Sequence, residues 1–158
     1  MSQNDFNYYN AAFELLNKNA IDHGKKTAFI DDNGSINYED LKNRVISLST
    51  ELKSLGLFQN DKIIICMYDC INFPVSFLGA IWSGIIPICI NTLLPKKDLR
   101  YMLEDSQAKA VICSEDLLTT FEELKKELDN KFIILTESKK ANLKISENIF
   151  NINAMFNT

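Results

Sequence analysis

Four short runs that are apolar from end to end place the strongest limit on what this chain can fold into: Ile63–Met67, Ile86–Ile90, Ala110–Cys113 and Phe132–Leu135. A strand with one face in water alternates apolar and polar residues, whereas an unbroken apolar run suits a strand buried on both faces. Helix-like stretches separate the runs. Phe73–Ser83 carries Pro74 in its first turn, where the missing N–H costs nothing. Lys97–Gln107 has Leu99, Met102 and Leu103 as its apolar face, and Glu115–Leu128 has Leu117, Phe121, Leu124 and Leu128. Ser114 is placed to cap this last stretch, with Asp116 in its first turn and Lys125-Lys126 near its end. Strands alternating with helices imply right-handed crossovers and a parallel sheet. The expected fold class is α/β, a doubly wound, mostly parallel sheet.

An N-terminal helix and a β-hairpin precede this rhythm. Ala12, Leu15, Leu16, Asn19 and Ala20 recur at helical spacing, which predicts a helix over Asn10–Asp22 ended by Gly24. Thr27–Asp31 reads as a strand, Asp32-Asn33-Gly34 as a hairpin turn and Ser35–Tyr38 as the return strand. Leu41, Val45, Leu48, Leu52 and Leu55 then share one helical face, with Asn37 placed as N-cap and Gly56 as the stop. Residues 137–158 differ: a polar connector leads to an apolar tail whose Ile145, Ile149, Ile152 and Phe156 fall at helical spacing. The whole of 1–158 is expected to be a single α/β piece, with the tail's apolar residues exposed and awaiting a partner surface.

Composition excludes several functions. The 158 residues suffice for one domain, and the formal net charge of -4 comes with scattered basic pairs at 25–26, 96–97, 125–126 and 139–140. These read as solvated surface, so no nucleic-acid partner is expected. The apolar stretch from Phe77 to Leu94 is interrupted by Ser83, Gly84, Pro87 and Asn91, short of the roughly 20 apolar residues of a membrane span. Residues 1–10 lack the charged-then-apolar pattern of a leader, so a cytoplasmic location is expected. Four cysteines, at 66, 70, 89 and 113, show no C-x-x-C spacing. Those at 66, 89 and 113 lie in strand-like runs and read as buried free thiols. The single His23 has no partner set for a metal and sits at a helix end. The five glycines form neither a dinucleotide fingerprint nor a phosphate loop. Gly79 and Gly84 suit a helix packed closely on a sheet and then stopped. No nucleophile–base couple is present, so no catalytic and no metal-binding residue is assigned.

Some stretches are recognisable. Lys26–Leu41, KTAFIDDNGSINYEDL, resembles the opening of acyl- and aryl-CoA synthetases, with Asn37-Tyr38-Glu39-Asp40-Leu41 as its most telling phrase. Asp61–Leu94 and Leu99–Leu118 are similar to that family's next elements in the same order. Asn10-Ala-Ala, Phe73–Ile81, Asn91–Leu94 and Tyr101–Ser106 point within it to benzoate-CoA ligases. Trp82 and Cys89 depart from the usual residues and read as packing changes.

The resemblance implies the N-terminal portion of an AMP-forming carboxylic acid–CoA ligase, an aryl acid such as benzoate being favoured over a fatty acid. A carboxylate would attack the α-phosphorus of ATP, and the thiol of coenzyme A would then displace AMP. ATP, Mg2+ and coenzyme A are the cofactors implied for the intact enzyme, with none expected on this piece. The family's Ser/Thr/Gly-rich loop ending in Pro-Lys-Gly and its late catalytic lysine have no counterpart here, so the piece alone is expected to be inactive. Lys96, Lys97 and Arg100 are candidates to face the nucleotide end of coenzyme A. The remainder of the synthetase chain, a small carboxylic acid and a second copy in a homodimer are the implied partners. Two other readings compete. A stand-alone α/β binding module such as a phosphoryl receiver would use Asp31-Asp32, Asp69, Ser114 and Lys139, but Asp32-Asn33-Gly34 leads into a hairpin where a receiver needs a helix. A short non-catalytic protein that binds the rest of a split synthetase is the other.

Overall fold

The strands whose composition demands cover on both faces receive it. In the computed structural model, which describes residues 9–129, 131–138 and 144–157, β3 (Lys62–Cys66), β4 (Ile86–Cys89), β5 (Ala110–Cys113) and β6 (Ile133–Thr136) run parallel. Two further strands, β7 (Lys144–Ser146) and β8 (Ile149–Asn151), complete a six-stranded sheet of order β4-β3-β5-β6-β8-β7, in which β7 is antiparallel to β8. Side chains alternate along a strand. Ile63, Ile65, Ala110, Ile112 and Leu135 therefore face α1 (Ala11–His23), α2 (Tyr38–Ser54) and α3 (Asn72–Trp82). Ile64, Cys66, Val111, Cys113 and Ile134 face α4 (Lys96–Ser106) and α5 (Leu118–Glu127). This is the doubly wound α/β architecture expected from the apolar runs.

The N-terminal elements form as their residues direct. Asn10 caps α1 by accepting from Phe13 N, and its side-chain amide donates 2.8 Å to Ile81 O, tying α1 to the end of α3. β1 (Thr27–Asp31) and β2 (Gly34–Asn37) pair across the turn Asp32-Asn33, where Asp31 Oδ1 accepts from Asn33 N. Asn37 Oδ1 accepts from Asp40 N at 2.8 Å and so caps α2. The hairpin is a separate two-stranded sheet.

Several expectations are corrected. Cys89 is exposed because β4 is an edge strand, whereas Cys66 and Cys113 on inner strands are buried. Gly79 packs against α2 rather than the sheet: a Cβ there would lie 2.9 Å from Leu48 Cδ2. Gly84, at φ +76, does end α3 in a conformation that glycine adopts freely. Lys125 is buried, not solvated; its Nζ donates to Phe132 O and lies over the Phe132 ring. Burial lowers its pKa.

The tail departs most from its helical spacing. Glu147-Asn148 makes a tight turn, with Asn148 at φ 57, so Ile145 and Ile149 sit on paired strands rather than on one helix face. A 3-10 helix, Ile152–Asn157, follows. Ile149, Ile152 and Met155 are buried in the chain's own two cores, and Arg44 stacks on Phe156 at 5.4 Å. The expected exposed apolar tail is instead packed. Lys139 and Lys140 lie outside the described residues.

Candidate functional site

An open α/β sheet binds ligands where the loops leaving two neighbouring strands diverge to opposite faces, at the carboxyl ends of those strands. Here β3 leads to α3 on one face, while its neighbour β5 leads to α5 on the other. A cleft of about 570 Å3 lies there. Tyr68, Cys70 and Asn72 after β3, Ser114–Asp116 after β5, and Glu137 after β6 line it, with Asp31 and Arg44 from the hairpin and α2.

Polar bonds among these loops fix the walls. Asn72 Nδ2 donates to Glu137 Oε2 at 3.0 Å and to Asn153 Oδ1 at 2.9 Å, joining the start of α3, the end of β6 and the tail. Ile71 N donates to Asp31 Oδ2 at 2.9 Å, which tethers the hairpin and holds the Asp31 carboxyl below its ordinary pKa. Ser114 does not cap a helix. The chain turns through the 3-10 segment Glu115–Leu117 before α5, and Ser114 Oγ accepts from Tyr68 N at 3.0 Å, bridging the two diverging loops.

This arrangement suits holding a backbone in place better than moving a phosphoryl group. Asp31, Glu115, Asp116 and Glu137 face the cleft against one cation, Arg44. An anion there would meet net negative charge, and no glycine-rich loop offers it N–H donors. The residues present do not fit ATP phosphates. Among the described residues no group of three or more His, Cys, Asp or Glu side chains can hold a metal ion, and Mg2+ needs carboxylates gathered together with substrate phosphates. Burial, followed by the nearby Glu137 carboxylate, raises the Cys70 thiol pKa, which disfavours the thiolate that a nucleophile needs. The receiver arrangement is not assembled, since Asp31 and Asp32 belong to the hairpin and not to the parallel sheet.

Lys96, Lys97 and Arg100 lie together on the first turns of α4, away from these walls. Lys96 Nζ contacts Glu123 Oε2 at 2.6 Å and Glu127 Oε1 at 2.8 Å, and these carboxylates raise its pKa. Arg100 reaches Glu127 at 3.4 Å and Glu104 at 3.5 Å. Lys97 is exposed and makes no ion pair with a described residue. Residue patterns did not point to Asn72, Glu137 and Asn153, which meet only through tertiary folding. The one local hint was the polar residue directly after β5 and after β6, Ser114 and Glu137.

The fold and the position of the cleft define a doubly wound α/β domain with its loops gathered at the carboxyl ends of the parallel strands. The chain belongs to the AMP-binding enzyme family, whose pattern matches residues 16–152. Over 115 residues, 72% of this chain, it is 45% identical to a benzoate–CoA ligase of Thauera aromatica. Over 116 residues it is 38% identical to a 4-hydroxybenzoate–CoA/benzoate–CoA ligase of Rhodopseudomonas palustris. The chain spans 22% of the length of each of these relatives. A crystal structure of a benzoate CoA ligase from Burkholderia xenovorans LB400 superposes on 94% of the chain with a TM-score of 0.82 and 30% identity, using 28% of that protein. None of the described helices is long and apolar enough to cross a membrane.

Proposed function

We propose that this chain is the N-terminal α/β portion of an AMP-forming carboxylic acid–CoA ligase acting on an aryl acid such as benzoate. The observation that carries the reading is the 45% identity over 115 residues to a benzoate–CoA ligase. In the whole enzyme ATP, Mg2+ and coenzyme A would be consumed or bound by residues other than the cleft set described above, whose charge is wrong for phosphate. The role of this portion is structural: its sheet and the bonds of Asn72, Asp31 and Ser114 hold one α/β layer in register. Its catalytic inactivity in isolation and a cytoplasmic location belong to the same proposal. Residues 1–158 act as one piece, with 137–158 leading on toward the remainder. If α4 meets the nucleotide end of coenzyme A, Lys97 is the cation best able to do so, since Lys96 and Arg100 are already paired with carboxylates.

The test begins with the coding sequence after Thr158. A Ser/Thr/Gly-rich loop ending in Pro-Lys-Gly is expected there, and the protein carrying it should exchange pyrophosphate into ATP with benzoate but hardly with a long-chain fatty acid. A stop codon directly after Thr158 overturns the ligase reading of this polypeptide and favours a non-catalytic partner. Equal exchange with both acids overturns the aryl preference.

A further inference from the structure

We propose that Asn33-Gly34 is a self-modifying site, at which the Gly34 backbone nitrogen converts the Asn33 carboxamide to an aspartyl or β-aspartyl linkage at a rate held down by the Asp31 carboxylate. The inference requires nothing of the ligase reaction. Asn33 is the one asparagine of the chain that a glycine follows. Glycine has no side chain to shield its nitrogen, and a Cβ built at Gly34 would meet no atom within 4 Å. Both residues are exposed at the tip of the β1–β2 hairpin, and the Asn33 side chain makes no hydrogen bond with a described residue. Asn37, on the return strand, is the contrast. Its Oδ1 accepts from Asp40 N and its Nδ2 donates to Asp40 Oδ2, both at 2.8 Å.

The step balances with water as its only co-reactant. Gly34 N gives its proton to a solvent base and attacks Asn33 Cγ. The new C–N bond closes a succinimide ring, the bond from Cγ to Nδ2 breaks, and Nδ2 leaves as ammonia with a proton from water. Water then opens the ring at either carbonyl.

Asp31 governs the first event. Its Oδ1 accepts from Asn33 N at 2.8 Å and its Oδ2 from Ile71 N at 2.9 Å. The N–H groups of Ile71, Asn33 and Gly34 hold this carboxyl below its ordinary pKa, so it is charged at neutral and alkaline pH. A carboxylate facing the Gly34 N–H opposes loss of that proton, because a second negative charge would form beside the first. The same bonds fix the turn, whereas ring closure needs Asn33 Cγ to swing onto Gly34 N. Conversion would in turn loosen the hairpin. A β-aspartyl linkage inserts an extra main-chain atom, which the pairing of Asp31 with Gly34 cannot absorb, and the Asp31–Ile71 tether beside the cleft would slacken.

The test incubates the chain at mildly alkaline pH and follows the tryptic peptide Thr27–Lys42 by tandem mass spectrometry, which assigns a gain of about 1 Da to Asn33 or Asn37. Conversion at Asn33 with Asn37 unchanged is expected, about tenfold slower in the folded chain than in the free 27–42 peptide. Asp31→Ser keeps a turn-forming oxygen but removes the charge, and should convert about tenfold faster than the parent. Asp31→Asn, which keeps the side chain's shape, should do the same. Nuclear Overhauser contacts between the paired Phe29 and Ile36 report whether each variant keeps its hairpin. In the β-aspartyl product the Ile71 amide should exchange with solvent faster than in the unconverted chain. No conversion at Asn33, or conversion as fast as in the free peptide, overturns the proposal. So do variants with intact hairpins that convert no faster than the parent, or Ile71 exchange that ignores conversion.

Discussion

Replacing Gly79 by alanine tests whether the close approach of α3 to α2 sets the geometry of the helical layer. A Cβ at this position would lie 2.9 Å from Leu48 Cδ2, 3.3 Å from Cγ and 3.4 Å from Cβ. Leu48 is fully buried, so its side chain cannot swing into solvent. Two opposing effects decide the sign. Alanine in a helix interior is about 1 kcal/mol better than glycine. Forcing an extra methyl into a packed core costs about 1–3 kcal/mol. With Leu48 Cδ2 closer than real contacts come and Cγ also tight, the steric cost should win, leaving a net loss of about 1 kcal/mol, which for a domain of this size lowers Tm by roughly 3 °C. Leu48→Ala alone should cost about 3 kcal/mol through its cavity. In the double variant the new methyl enters the space that Leu48 vacates, so the combined loss should fall short of the sum by about 2 kcal/mol. Urea unfolding of the four proteins measures this cycle. A more stable Gly79→Ala single variant, or strictly additive losses, would refute the claim that contact with Leu48 requires glycine here.

Further outcomes follow from the buried polar and ionisable groups. Removing Asn72 (Asn72→Ala) deletes bonds to Glu137 and Asn153, one of them to a carboxylate, and should cost about 2 kcal/mol; hydrogen exchange should speed up first at 149–153, and uniform exchange across the chain would count against the tether. Burial lowers the Lys125 pKa, so the folded state sheds this proton before the unfolded state does. The penalty is fully present at neutral pH and is relieved as pH climbs from the lowered value to the ordinary 10.5. Lys125→Met should therefore be more stable than the parent at pH 7, with the gap narrowing by pH 10 in paired urea melts; a constant or widening gap contradicts this. Among the thiols, burial raises Cys66 to about 11 and Cys113 to about 12, while Cys89 is exposed. A thiol-specific reagent at pH 8 should label Cys89 fastest and reach Cys66 and Cys113 only on unfolding, and four thiols reacting at one rate would contradict the burial pattern.

The parts of the fold that were legible in the residues are those where one local rule has no competitor. Ile63–Cys66 and Ala110–Cys113 are apolar on both faces, and no other secondary structure of that length uses such a run so well. The Asp32-Asn33-Gly34 turn and the Asn37 cap are local chemistry, and both form as read. Spacing failed where two periods agree. Ile145, Ile149, Ile152 and Phe156 fit a helix, but Ile149 and Asn151 also point the same way on a strand, and the left-handed Asn148 decides for the turn. Residue type failed where neighbours overrule it. Lys125 is buried because a carbonyl and a ring receive its ammonium group, and Cys89 is exposed because β4 has no outer neighbour among the described strands. The cleft's polar contacts join residues 65 and 81 positions apart, a distance over which no local pattern speaks.

The cleft occupies the position where a sheet of this kind presents its loops to a ligand, yet its side chains are spent on one another. Asn72 donates to both Glu137 and Asn153, Ser114 receives Tyr68 N, and Asp31 receives Ile71 N. Each bond satisfies a group that would otherwise need water or substrate, and each spans two elements. The carboxylates that face the opening would repel a phosphate, and the one guanidinium, Arg44, stacks on Phe156 of the tail. Position alone would suggest a nucleotide site; the charges argue that this segment provides a rigid floor. On the reading proposed above, the groups that meet phosphate would be other residues of the whole enzyme, reaching this edge of the sheet. That division explains how a chain can belong to an AMP-binding family while none of its described residues forms a phosphate cradle.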